Sequence, residues 1–149
     1  MFIGIDLGTS SVKTILIDEN QNTLSTKTEL ISIDNPKNGY YEQNPEEWYE
    51  ATLKCFGYLK KQKPREFCEV RALSISGQMH GATILDREAK VLRGCILWND
   101  TRSSKECKEM EQKCSNLRKI SGNIAMPGFT APKLLWIKNN EPEIFKKID

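Results

Sequence analysis

The segment Asp6-Leu7-Gly8-Thr9-Ser10-Ser11 allows few folds. The residues before it, Phe2-Ile3-Gly4-Ile5, are apolar, and residues 2–6 read as a buried strand that ends on a carboxylate. Residues 12–17 follow at once and are rich in β-branched side chains, so they read as the next strand. A connection this short cannot carry a crossover, so the two strands form a hairpin. That excludes the strand–loop–helix phosphate loop, which needs Gly-Lys-Ser/Thr opening a helix. The turn is nevertheless suited to an anion. Gly8 admits a close approach to the backbone, and Thr9, Ser10 and Ser11 add hydroxyls to a run of N–H groups. On residues alone it is either an ordinary turn or a hairpin that grips phosphate. In the second case Asp6 faces a phosphate-bound Mg²⁺ through water.

The rest of the chain supplies the frame. Residues 18–22 are a polar turn and residues 23–30 a third strand, giving an antiparallel meander. Asn35-Pro36 and Asn38-Gly39 break the chain into a loop. Asn44-Pro45-Glu46-Glu47 opens a helix, with Asn44 as cap and Glu47 three residues on. Trp48, Thr52, Cys55, Phe56 and Leu59 share one face of it, and Pro64 ends it. Residues 70–76 form a further strand, and residues 82–85 and 91–97 a hairpin around Asp86-Arg87-Glu88. Ser103 caps a second helix with Glu106 three residues on, burying Cys107, Met110, Cys114 and Leu117. Thr130-Ala131-Pro132 opens a short helix through Ile137, and residues 142–148 begin another. Strands first and then alternating helices and strands make an α/β or mixed α+β domain.

Composition narrows the partners. Lys and Arg number 22 against 20 Asp and Glu, a net charge of +2, which is no basic stripe for nucleic acid. The longest apolar run, Cys95-Ile96-Leu97-Trp98, is far too short to span a membrane. No signal sequence precedes the first strand, so a soluble, cytoplasmic protein is expected. Five cysteines without a Cys-x-x-Cys, and the single histidine His80, suit reduced thiols rather than disulfides or zinc.

Two more segments carry candidate chemistry. Gly77-Gln78-Met79-His80-Gly81 follows a buried strand, where open α/β sheets commonly line a ligand cleft. Gln78 and His80 can donate to and accept from hydroxyls, although a lone histidine also serves structure. In Trp98-Asn99-Asp100-Thr101-Arg102, Trp98 can stack on a sugar face and Asp100 can accept from hydroxyls. Equally, Trp98 can be core and Asp100–Arg102 a surface ion pair of little worth.

Taken together, Phe2 to Ser10, Gly77 to Gly81, Ile96-Leu97-Trp98-Asn99-Asp100, Gly122-Asn123 and Met126 to Trp136 resemble the FGGY carbohydrate kinases, specifically the N-terminal part of their xylulokinase branch. The first motif alone resembles the wider group of sugar kinases, actin and heat-shock ATPases. Gln78-Met79-His80-Gly81 and Met126 to Pro132 resemble xylulokinases more than glycerol kinases. The resemblance implies a ribonuclease-H-like N-terminal lobe of the actin-like ATPase and sugar-kinase architecture, a mixed sheet with flanking helices. It implies ATP with Mg²⁺ as cofactors and D-xylulose as substrate. Gly8, Thr9 and Ser10 would grip ATP phosphates, and Asp6 would serve metal-assisted transfer. Met79 and His80 would hold D-xylulose, with Gln78, Trp98, Asp100 and Arg102 around them.

Family members are several times longer, and their catalytic-base Asp, second phosphate loop and adenosine loops lie downstream of Asp149. On that resemblance residues 1–149 are a truncated N-terminal domain, inactive alone, with a sheet that exposes an edge. A downstream kinase piece is then the expected partner. A non-catalytic sugar- or phosphate-binding remnant, and a kinase fragment for another polyol, are the alternatives. Ser11 stands where several relatives have Gly, which is tolerable if its φ is negative.

Overall fold

A computed structural model of the chain describes residues 1–148. They divide into two compact units, one made of Met1–Ile33 and Glu46–Gln78, the other of Asp34–Pro45 and the residues from Met79 onward.

The first unit is built on a four-stranded sheet. β1 (Phe2–Leu7), β2 (Ser11–Ile17) and β3 (Thr23–Leu30) form the expected antiparallel meander, and β5 (Ala72–Gly77) lies parallel to β1 in the order β3-β2-β1-β5. Side chains alternate across the pleat, so Ile3 and Ile5 of β1 and Val12 and Leu16 of β2 fall on one buried face. Helix α1 (Pro45–Gln62) covers that face with Ala51 and Leu59. Its buried stripe is Ala51, Cys55 and Leu59, four residues apart. Trp48 and Thr52, which the periodicity places on this face, are only partly buried, and the small Ala51 is buried in their stead. Glu47 does not close a capping box. Its carboxylate accepts from the Ser32 hydroxyl at 2.7 Å and the Ser32 N–H at 3.1 Å, tying α1 to the chain just after β3. Pro64 does not merely stop α1; it also opens the short α2 (Pro64–Cys68).

β5 is the open edge of this sheet, and all six of its residues are exposed. Leu73 and Ile75 present apolar surface there.

In the second unit the segment around β4 (Glu42–Gln43) pairs antiparallel with β6 (Cys95–Ile96). The expected hairpin over residues 82–97 survives only as single bridges, Leu85 with Val91 and Ala82 with Ile96. The reason is that Ile96 shares its pairing with Glu42, 54 residues upstream in sequence, which a local reading could not supply. Helices α3 (Ser104–Lys113), α4 (Leu117–Ser121), α5 (Thr130–Asn140) and α6 (Pro142–Phe145) complete the unit. Ala82, Ile84, Ile96 and Ile137 form its core, with Leu134, Trp136, Ile144 and Phe145 packed against them.

α3 differs from expectation at both ends. The Ser103 hydroxyl makes no cap bond; it donates to the Pro127 carbonyl at 3.2 Å and so ties the loop before α5 to the start of α3. Cys114 is exposed beyond the helix, and Leu117 begins α4 instead of prolonging α3. Among the described residues no helix is long and apolar enough to cross a membrane.

Candidate functional site

In the first unit two of the singled-out segments leave the sheet side by side. β1 and β5 are parallel neighbours, Asp6 pairs with Ser76 and Leu7 with Gly77, and the Gln78 N–H donates to the Leu7 carbonyl at 2.9 Å. Both strands therefore deliver their C-terminal ends to one place, as ligand-binding strand ends do in open α/β sheets. Asp6 is exposed there, with Lys13 opposite it on β2.

The turn after Asp6 is tight. The Gly8 N–H donates to the Ser11 carbonyl at 2.9 Å, and the Ser10 carbonyl accepts from the Ile31 N–H at 3.1 Å. The Gly8 N–H is thus committed to closing the hairpin and is not aimed at an anion. What the turn offers a phosphate is the exposed Ser10, the half-buried Thr9 and the close approach allowed at Gly8. Ser11 lies outside the left-handed region, so its side chain is no strain on the turn. The residue present that fits a hydrated Mg²⁺ carried on phosphate is Asp6, one exposed hard carboxylate.

In the second unit Met79 and His80 are both exposed. His80 adopts φ of 60°, a left-handed conformation uncommon for any residue but glycine. Its ring lies 4.8 Å from that of Phe129 at 53°. The same side chain borders a mostly apolar cavity of about 240 Å³, lined also by Met110, Leu117, Ile124, Phe129 and Pro132.

Trp98 is exposed as well, at 43%. Its carbonyl sits where a side chain at 128 would go: a Cβ on Gly128 would lie 2.7 Å from that oxygen. Only glycine lets the 126–129 turn come so close.

Asp100 and Arg102 are placed differently from Trp98. They turn inward, with side-chain exposures of 0% and 1%. The Arg102 guanidinium donates to both Asp100 oxygens at 2.8–3.0 Å and to Glu42 at 2.6 Å. It lies against the rings of both Tyr40, at 4.0 Å, and Trp136, at 4.9 Å, which pack edge-to-face on each other. The backbone N–H groups of Tyr41 and Arg102 supply the remaining donors to Asp100. Burial alone would lower the Arg102 pKa, but the hydrogen bonds to Asp100 and Glu42 outweigh it and hold the pKa above its usual value. Arg93 extends the network from Glu42 to Glu141. The pair is therefore neither a surface ion pair nor open to a ligand. Nothing local to residues 98–102 marks Glu42, Arg93 and Glu141 as its companions, since they come together only through long-range pairing.

Lys133 was missed altogether. It is fully buried, and its ammonium donates to the carbonyls of His80 at 2.7 Å and Gly128 at 2.8 Å. Burial pushes its pKa down from 10.5 to about 8. Between those values the unfolded chain holds a proton that the folded chain has lost, so stability rises with pH. Burial shifts the Cys95 and Cys107 thiols the other way, above 9.0, so their contribution falls as the unfolded thiols ionise. Lys133 should therefore add about 1 kcal/mol to the unfolding free energy between pH 8 and pH 9 and go on adding toward pH 10.5, while the thiols of Cys55, Cys95 and Cys107 subtract over the same range. Urea unfolding of the chain and of Lys133→Met side by side tests it: the stability of the unaltered chain relative to the variant should increase from pH 8 to pH 9.

The FGGY family of carbohydrate kinases, N-terminal domain, matches residues 1–149. The chain is similar to the xylulose kinase of Escherichia coli (strain K12), 49% identical over 149 residues, covering 100% of this chain and 30% of that protein. It is 44% identical over 146 residues to the xylulose kinase of Bacillus subtilis (strain 168), covering 97% and 29%. Among solved structures it resembles a xyloylose kinase from Brucella ovis, with a TM-score of 0.94 and 47% identity over 98% of this chain and 30% of that one. The chain thus spans about 30% of the length of the relatives it matches.

Proposed function

Because the chain belongs to the FGGY family of carbohydrate kinases, we propose that it supplies the phosphate turn and the sugar loop of a cytoplasmic enzyme that phosphorylates D-xylulose from ATP. The observation that carries this reading is the parallel pairing of β1 with β5. It sets the Asp6 turn beside Gly77 and Gln78. Similarity to xylulose kinases over the whole chain supports D-xylulose as the sugar.

In this reading Asp6 orients phosphate-bound Mg²⁺ through water, and Thr9 and Ser10 hold phosphate oxygens near Gly8. Bound MgATP supplies the γ-phosphoryl group and the metal charge that offsets its negative oxygens. Met79 gives the sugar an apolar contact, and Gln78 and His80 hydrogen-bond its hydroxyls. Trp98 covers a sugar face. Asp100 and Arg102 act from below, holding the 98–102 turn rather than touching the sugar. Much of the catalysis is then positioning, which a fixed turn and a fixed loop provide. The base that takes the proton from the sugar hydroxyl belongs to the part of the family's length that this chain does not span. Residues 1–149 alone are accordingly inactive, and a downstream kinase piece is the partner.

A chimaera tests this directly. This chain should replace the matching segment of the Escherichia coli xylulose kinase and give ADP formation that depends on D-xylulose, while residues 1–149 alone give none. A folded chimaera that phosphorylates only another polyol would replace D-xylulose as the substrate. A folded chimaera that phosphorylates nothing would leave the non-catalytic reading.

A further inference from the structure

We propose that Lys133 is a positioning residue: its buried ammonium bridges the carbonyls of His80 and Gly128 and fixes His80 in the conformation that presents its ring to substrate. The part about substrate rests on the sugar reading above.

Lys133 is fully buried, yet both of its hydrogen-bond acceptors are neutral carbonyls and not carboxylates. Such burial is costly, and a methionine or leucine would fill the space without that cost. What the charge provides is a grip on two turns at once. One is the turn at His80, the other the 126–129 turn, whose Phe129 ring packs against the His80 ring.

His80 needs such a grip. Its φ of 60° is unfavourable by about 1 kcal/mol or more for a residue with a Cβ. Its carbonyl accepts from two donors on α5, the Lys133 ammonium at 2.7 Å and the Thr130 hydroxyl at 3.3 Å. On its other side Gly81 is pressed against Cys95, where an added Cβ would lie 2.9 Å from the sulfur. The backbone on both sides of the ring is thereby held while the ring itself stays exposed. A side chain on a fixed backbone loses less freedom when it binds, which is how a buried lysine can raise the affinity of an exposed histidine.

His80 is the one histidine of the sequence, so its imidazole proton resonance is unambiguous in the whole 149-residue chain. Lys133→Met should keep the circular dichroism spectrum. It should move the His80 resonance toward that of an unstructured histidine as the Phe129 ring current is lost. It should also weaken D-xylulose binding, read on the same resonance, by roughly tenfold or more. Should Lys133→Met fail to fold, Thr130→Val removes the second donor to the same carbonyl and leaves the buried charge in place. It should move the resonance the same way by less. An unmoved His80 resonance in a folded Lys133→Met chain, or in Thr130→Val where Lys133→Met does not fold, overturns the proposal. A resonance that moves on substitution, but that D-xylulose never perturbs in the unaltered chain, upholds the clamp and overturns the sugar reading instead.

Discussion

Asp6→Asn in the chimaeric kinase is expected to lower turnover of D-xylulose by roughly 10²–10³-fold, with the KM for the sugar nearly unchanged. The carboxylate is exposed at the end of β1, and the strand is held by Ile3 and Ile5, not by Asp6. Asparagine keeps the shape and loses the charge. If Asp6 orients a hydrated metal on phosphate, the loss falls on the phosphoryl-transfer step and not on sugar binding. The same substitution in residues 1–149 should leave the thermal midpoint where it was. A turnover loss below about threefold would remove Asp6 from the mechanism. So would a loss matched by an equal fall in stability.

Arg102→Ala should have the largest effect on stability, about 3–5 kcal/mol. The substitution leaves the Asp100 carboxylate buried at 0% exposure with only two backbone N–H donors. It also removes the cation packed against the Tyr40 and Trp136 rings and frees Glu42 from one of its two arginines. Against a whole-domain stability of about 5–15 kcal/mol this is a large share. Urea unfolding followed by tryptophan fluorescence measures it. Pairing Asp100→Asn with Arg102→Met should restore part of the loss, because the stranded charge is then gone. A single-substitution loss under about 1 kcal/mol would mean that the network contributes no more than an exposed pair.

The contrast between these two residues shows where a sequence can be read. The Asp6 turn was legible because everything that defines it is local: an apolar strand, small residues, and a second β-branched strand. The meander and the mixed α/β class followed from the same local patterns. The structure has the ribonuclease-H-like architecture of the sugar-kinase and actin-like ATPase lobe, a mixed sheet with flanking helices. Asp100 and Arg102 were visible as a pair, but not as a buried one. Their environment is made by Glu42, Tyr40 and Trp136, far off in sequence. Lys133 looked like an ordinary lysine in an apolar helix. Its burial depends on two carbonyls contributed by turns at residues 80 and 128. The Glu47 and Ser103 capping signals were real patterns overruled by better partners, Ser32 for one and Pro127 for the other.

The route of the chain through its two units also sets a timetable. Residues 34–45 belong with residues from Met79 onward, yet they are made before α1, α2 and β5. Glu42 and Gln43 must wait for Ile96 and Cys95 to leave the ribosome, and Glu42 waits as well for Arg93 and Arg102. At about 5–20 residues per second, a delay of some 50 residues is roughly 3–10 s. Throughout that time the sheet and α1 have all their own partners while residues 34–45 have nothing yet to bind, so the order of synthesis lets the first unit form early and makes the second the late arrival.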